Sequence, residues 1–297
     1  MITITEEQLL KYIDWHGLGK TIDTVVRQND FVQPIKPYLR YGDPKNRIIA
    51  MPAYVGGDIQ CSGIKWISSF PDNIHKGIPR AHCIVVLNDP TTGVPIAMIN
   101  DPLISVIRTT AVTSWMIVSL VGATEKMPKK IGIIGHGPIG RMHSIMLKSI
   151  FKTAEQFIYD VDPSKRNVET WQEAYRDMDI VITSTVSPTR YIDRLPKQGA
   201  WLMNVSLRDY EPTRDLYYTT DHVIVDSWDE INRENTDIEQ LNEVVNGRLE
   251  DTHKTIFDLE GMNIKPTDTV FFNPMGMAAF DIAVSKYFYD KVVLNGQ

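Results

Sequence analysis

An α/β fold in two domains is predicted for this 297-residue chain by two features of its sequence. Near the middle, the glycine-rich stretch "GHGPIG" stands directly between a short apolar strand and a helix. Before it comes a series of strand candidates separated by Gly, Pro, Asp and Asn, the punctuation of an antiparallel or mixed sheet. The length itself suggests about two domains.

In chain order, residues 5–29 read as one helix, with Thr5 placed as an N-cap and Glu7 close behind. "FVQPIKPYLRYGDPKN" holds too many prolines for either regular element and reads as a loop. Strands are predicted at "RIIAMPAYV", "CSGIKWISSF", "HCIVVLND" and "PIAMIN". From Ile104 to Ala123 apolar residues recur at helical spacing without a proline, which predicts a buried helix. The break at "EKMPKK" opens a second domain, whose strand "KKIGII" leads into the glycine turn and its helix. Further strands are expected at "QFIYD", "DIVITSTV", "WLMNVS" and "HVIVDS", and helices and loop in the polar stretch 228–267. The tail "FFNPMGMAAFDIAVSKYFYDKVV" reads as strand, turn and amphipathic helix.

Composition narrows the partners. With 43% hydrophobic residues the chain has enough apolar material for real cores, and a net charge of −6 with scattered Lys and Arg offers no footprint for nucleic acid or an anionic membrane. A small molecule is the expected partner. Cys61 and Cys83 lack metal-ligand or redox spacing and are expected as buried thiols, with no metal site. The N-terminus lacks the pattern of a signal peptide, and no apolar run is read as a membrane span, so a cytoplasmic location is expected.

Gly135, Gly137 and Gly140, with Pro138 and Ile139 between them, have the spacing and the strand–turn–helix context of a dinucleotide-binding turn. The first glycine permits the tight turn, the second lets a pyrophosphate approach the helix N-terminus, and the third lets helix pack on strand. Asp160 closes the next strand 20 residues after Gly140, where a carboxylate would accept the ribose hydroxyls; this favours NAD over NADP. Only 19 residues separate Asp160 from the strand beginning at Ile180, and they hold a single candidate helix, "VETWQEAYRDM". The domain is therefore expected to be a trimmed Rossmann-like one, lacking one strand and helix and making weaker adenosine contacts. His136, inside the turn, can contact phosphate, and His143 is expected on the helix surface.

Three cations stand out in the first domain: Arg40 in "KPYLR", Lys65 in the apolar strand "SGIKW", and Arg108 in "IRTTA". Each alone commonly marks a structural ion pair; together, beside a nucleotide-binding domain, they suggest a clamp for carboxylates. An unpaired ammonium in an apolar strand costs several kcal/mol, so Lys65 calls for a counter-charge.

"SGIKW", "LND", "IRTTA", "IGIIGHGPIG", "VITSTV", "NVSLRD" and "NPMGMA" occur in the order found in the ornithine cyclodeaminase and mu-crystallin family, which the sequence resembles over nearly its whole length. "NDFVQPIKPYLR", "RIIAMP", "SGIKWI" and "NPMGMAAFDI" are most similar to its dehydrogenase branch that makes L-2,3-diaminopropionate for siderophores and peptide antibiotics, as in the staphyloferrin B pathway. The resemblance implies an NAD-dependent homodimer. Residues 1–124, completed by 276–297, would bind substrate and dimerise, and residues 125–275 would bind NAD. It places the substrate-carboxylate cations on Arg40, Lys65 and Arg108 and the catalytic aspartate on Asp209, with Lys65 also counted as catalytic. Thr185, Val205 and Met275 join the expected cofactor contacts. The implied reaction is oxidation of N-(2-amino-2-carboxyethyl)-L-glutamate to an imine that water splits into L-2,3-diaminopropionate and 2-oxoglutarate, a substrate carboxylate balancing Lys65. Two departures stand out. "YEPTRD" follows Asp209 where many relatives carry a glycine–lysine pair, and Phe280 precedes Asp281 where relatives tend to have Glu-Asp. Ornithine cyclodeamination to proline, another amino-acid or imino-acid dehydrogenation, and a mu-crystallin-like nucleotide or small-ligand binding role are the rival readings.

Overall fold

The computed structural model describes residues 1–295 and divides into two compact units. The first joins Met1–Trp115 to the C-terminal segment from Met277, and the second is Met116–Gly276.

In the first unit, β1 (Ile2–Ile4) is followed by α1 (Glu6–Lys11) and α2 (Trp15–Gln28). The single helix expected over 5–29 is two. Thr5 caps α1 in a reciprocal pair with Gln8, and Asp14 then breaks the run by taking an extended conformation and accepting from the N–H groups of His16 and Gly17, both at 3.1 Å. The proline-rich segment is mostly irregular but contributes two short strands, β2 (Phe31–Val32) and β3 (Tyr38–Leu39). The long strands β4 (Arg47–Val55), β5 (Cys61–Ser69), β6 (Ala81–Asn88) and β7 (Pro95–Ile99) form an antiparallel meander, with β1 added parallel to β7. The sheet is therefore mixed, in the order β1-β7-β6-β5-β4-β2, with β3 also pairing with β4.

Helix α3 (Leu103–Thr124) starts where the Asp101 carboxylate accepts from Leu103 N–H, and it runs on into the second unit. Its threonines stay paired: half-buried Thr109 and buried Thr110 and Thr113 donate to the carbonyls four residues back at 2.8, 3.0 and 3.2 Å. Contrary to the sequence reading, α3 is long and apolar enough to cross a membrane, but 67% of its most apolar window is buried inside the protein, as in a core helix. The second unit adds β8 (Lys130–Ile134), α4 (Pro138–Ile150), β9 (Glu155–Tyr159), β10 (Ile180–Thr183), β11 (Trp201–Asn204), α5 (Arg214–Thr219), β12 (His222–Val225), α6 (Trp228–Ile231), α7 (Asp237–Val244), α8 (Arg248–Thr252), β13 (Lys254–Thr255) and β14 (Val270–Asn273). These strands make one all-parallel sheet in the order β13-β12-β14-β11-β10-β8-β9, and the run of buried residues in β10, β11 and β14 is what a sheet covered on both faces requires.

The trimmed half is visible at one edge: among the described residues β9 pairs with β8 alone and no further strand lies outside it. The stretch "VETWQEAYRDM", expected as a helix, consists of turns, because its main chain closes mostly three-residue turns, such as Glu173 N–H to Thr170 C=O at 3.2 Å. The free edge of β9 is occupied by Asn167, whose side chain accepts from Ile158 N–H at 2.6 Å and donates to Gln156 C=O at 2.8 Å, while its own N–H reaches Ile158 C=O at 2.9 Å.

The last helix, α9 (Ala278–Asn295), returns the chain to the first unit, packing on β4, β5 and β6 and against α2. It is not amphipathic over its first turns: Ala278 to Ser285 are all buried, with Phe280 and Ile282 at 0% exposure. Each such side chain contributes roughly 2 kcal/mol of burial free energy.

Candidate active site

Alternation along β5 puts Gly63 and Lys65 on one face. A Cβ at Gly63 would press Ile282 Cδ1 at 3.1 Å and run into Val86 C=O, so the missing side chain lets α9 lie close over the strand. That approach brings Asp281 to Lys65. Asp281 Oδ1 accepts from Lys65 Nζ at 2.7 Å and from Arg108 Nε at 2.8 Å, with Lys65 1%, Arg108 8% and Asp281 2% exposed. The expectation that a substrate carboxylate balances Lys65 is thus corrected: its partner is Asp281, 216 positions away. The second oxygen, Oδ2, is buried with no hydrogen bond. Burial, with Arg108 alongside, pulls the Lys65 ammonium down to about 8 against the raising effect of Asp281. Two cations and one carboxylate leave a net positive cluster, and the outer guanidinium edge of Arg108 lies away from the Nε used on Asp281. Arg40 stands outside this cluster on an exposed loop, its guanidinium 5.1 Å from the centre of the Tyr38 ring.

In the second unit the glycine turn has the geometry its sequence promised. Gly135 adopts φ +91°, and a Cβ there would meet Ser184 backbone at 2.8 Å; a Cβ at Gly140 would run into Gly135 C=O. At Gly137 a Cβ would meet nothing within 4 Å, so this face of the turn is open. No side chain caps α4, whose N-cap is Gly137 and whose first residue is Pro138, leaving the N–H groups of Ile139 and Gly140 for an anion. The turn lies between β8 and β10, where the strand order reverses, the usual crevice for a dinucleotide in such sheets. The residues present therefore fit a pyrophosphate. Half-buried Asp160 accepts from His136 N–H at 2.7 Å and from Asp162 N–H at 2.9 Å, which fixes its carboxylate beside the turn. Val205 N–H binds Thr183 C=O at 3.0 Å, and Met275 N–H binds the buried Asp226 at 2.9 Å, with Gly276 N–H on the other Asp226 oxygen at 2.6 Å. His143 is fully buried, not on the surface: it donates through Nδ1 to Ile139 C=O at 2.8 Å, and burial holds it down to about 4, hence neutral.

Asp209, 1% exposed, follows β11. Its Oδ1 accepts from the Thr185 hydroxyl at 2.5 Å and its Oδ2 from the Ser206 hydroxyl. Burial raises its carboxyl to about 6 despite these two donors, and the charge of Asp237 adds to the rise. A carboxylate so placed is largely ionised at neutral pH yet basic enough to accept a proton. The structure thus joins Thr185, expected among the cofactor contacts, to Asp209; it joins Lys65 and Arg108 on Asp281. Sequence reasoning left Asp281 without an assigned partner and missed Asp237, which a Thr-Asp pair opening a helix could have flagged only as a cap.

Fold and glycine turn together define a Rossmann-type dehydrogenase architecture with an added mixed α/β unit. The chain belongs to the ornithine cyclodeaminase/mu-crystallin family, whose model matches residues 14–296. Among curated proteins, N-((2S)-2-amino-2-carboxyethyl)-L-glutamate dehydrogenase of Staphylococcus aureus is 37% identical over 300 residues, covering 90% of this chain and 87% of that protein. The alanine dehydrogenase of Archaeoglobus fulgidus is 25% identical, over 88% of this chain and 84% of its own. Among solved structures, Delta(1)-pyrroline-2-carboxylate reductase of Thermococcus litoralis, in complex with NADH and L-proline, superposes with a TM-score of 0.88 at 21% identity, covering 100% of this chain and 98% of the other.

Proposed function

We propose that this protein catalyses the NAD-dependent oxidative hydrolysis of N-(2-amino-2-carboxyethyl)-L-glutamate to L-2,3-diaminopropionate and 2-oxoglutarate, a supply step for siderophore or peptide-antibiotic assembly. The observation that carries the reading is the 37% identity, over 90% of the chain, to the Staphylococcus aureus dehydrogenase of that name. The protein is an oxidoreductase, and its cofactor is NAD. The balanced change takes the secondary amine, NAD⁺ and water to the two products, NADH and a proton. When bound, NAD supplies the hydride acceptor. Arg108 and Lys65 would hold a substrate carboxylate on their net positive cluster, with Arg40 taking another. Asp209 would take a proton from the amine or from the water that attacks the imine. The same reading puts the protein in the cytoplasm as a homodimer. Exposed apolar side chains of the first unit, among them Val32, Leu39, Trp66 and Ile78, are the surface we assign to that contact.

The glycine turn gives a contrast that needs no substrate. Gly137→Ala adds a methyl to open space, so it should leave the melting temperature unchanged and weaken NAD binding about tenfold, some 1.4 kcal/mol. Gly140→Ala drives its methyl into Gly135 C=O and should lower the melting temperature as well. Equal stability loss in both variants would remove the cradle from this turn.

One observation favours a second reading. The unpartnered Oδ2 of Asp281 is an acidic acceptor of the kind an amine-bearing side chain would need, which suits ornithine cyclodeamination to proline. The deciding experiment incubates the purified protein with excess NAD and either N-(2-amino-2-carboxyethyl)-L-glutamate or L-ornithine, and analyses the products by mass. Stoichiometric NADH with diaminopropionate and 2-oxoglutarate is the expected result. Proline and ammonia without net NADH would replace it with the cyclodeaminase, and turnover of neither would move the assignment to another amino-acid substrate or to ligand binding.

A further inference from the structure

Asp237 opens α7 directly after its N-cap, Thr236, is 2% exposed, and accepts four hydrogen bonds. Oδ1 accepts from Arg190 Nε at 2.7 Å; Oδ2 accepts from Asn204 Nδ2 at 3.0 Å, Asp209 N–H at 2.9 Å and Tyr210 N–H at 3.1 Å. Its own N–H donates to Leu207 C=O at 2.8 Å. The loop between β11 and Asp209 is therefore strapped by one residue at Leu207, Asp209 and Tyr210. Leu207 is held at φ +67°, a left-handed conformation that a leucine rarely adopts, and its N–H is fixed in turn on Asn204 Oδ1 at 3.0 Å. A helix start needs none of this. The cap of α7 is already supplied by Thr236, which accepts from Glu239 N–H at 3.1 Å.

We propose that Asp237 is a positioning residue for Asp209: it fixes where that carboxylate points and keeps a second negative charge beside it. The proposal rests on the reading of Asp209 as the proton acceptor. Other groups facing Asp209 are the hydroxyls of Thr183, Thr185 and Ser206, and the phenols of Tyr191 and Tyr210, which burial pushes far up and so keeps neutral. Arg190 answers to Asp237, and Arg208 is turned to Glu234 C=O. Asp237 is thus a charged group whose field raises Asp209, and Arg190 is the cation paired with it.

The test uses the full chain labelled with aspartate carrying ¹³C in its side-chain carboxyl, the Asp209 resonance being assigned by its loss in Asp209→Asn. In the native protein it should titrate near 6. Asp237→Asn removes the neighbouring charge and should move that titration down. Arg190→Gln leaves Asp237 in place but less compensated, and should move it up. Turnover of Asp237→Asn should fall about 100-fold in kcat, as misplacement of a reacting group by an ångström does, with NAD affinity unchanged. A merely structural role predicts lowered melting temperatures without the pair of opposite shifts; an unmoved Asp209 titration in both variants overturns the proposal. Should Asp237→Asn fail to fold, the upward shift in Arg190→Gln decides. If the shifts appear but Asp209→Asn keeps its turnover, the coupling stands and the assignment of the base falls.

Discussion

Asp209→Asn is expected to cut kcat by about 10²- to 10⁴-fold, the range for a general base, while leaving the fold more stable at neutral pH. The sign follows from the environment. Buried Asp209 has a carboxyl raised to about 6, above the 3.8 of a free side chain, so the folded state holds the proton more tightly than the unfolded chain. That contribution to stability is full below about pH 4 and is lost as the pH rises through 6. By pH 7 the ionised carboxylate costs the folded state about 2–3 kcal/mol, from a two-unit difference at 1.36 kcal/mol each. Asparagine carries no such cost and still offers one oxygen to Thr185 or Ser206. Melting curves should therefore show the variant above the native protein at pH 7 and the gap closing near pH 4. A variant less stable at pH 7 would mean that Asp209 holds the loop together instead of straining it.

Asp281→Ala should have the largest effect on stability. Removing the carboxylate leaves Lys65 and Arg108 as buried cations with only each other, and breaking a buried ion pair from one side costs about 3–5 kcal/mol. The loss should depend on pH in a definite sense. Lys65 titrates near 8 in the fold and at 10.5 unfolded, so its burden on stability is full below 8 and is relieved between 8 and 10.5. Without Asp281 its proton leaves still earlier. Denaturant unfolding should then give a difference of several kcal/mol near pH 7 that narrows at about pH 9.5. A difference below about 1 kcal/mol at both would show that α9 is held on β5 by its apolar contacts alone.

Much of the fold was legible because local patterns decided it. "RIIAMPAYV" is β4 from end to end, and the isolated glycines of "GHGPIG" found their strand and helix as the spacing required. Other signals were present but misread. Asp14 followed by Trp-His-Gly is a helix start that the longer apolar period concealed, and His143 stands three and four residues before Met146 and Leu147, on the buried stripe of α4. The counter-charge of Lys65 was of another kind. The sequence posed the need for one, but Asp281 meets Lys65 only because Gly63 lets a distant helix settle on β5. Asp237 was harder still, since its donors come from positions 190, 204, 209 and 210 and none of them is anomalous by itself.

The shortened nucleotide-binding sheet ends on Asn167, and this has a bearing on how the protein behaves in a crowded cell. A strand stripped of its neighbour offers a row of main-chain donors and acceptors to any passing chain, and sheet edges of that kind seed fibres. Along β9 the Gln156 carbonyl and both main-chain groups of Ile158 are already taken by one asparagine, whose side chain copies a strand's hydrogen bonds but has no backbone direction to pass on. At these positions the short sheet is closed to strand addition, and replacing Asn167 with a residue that cannot make these bonds would cost solubility before it cost chemistry.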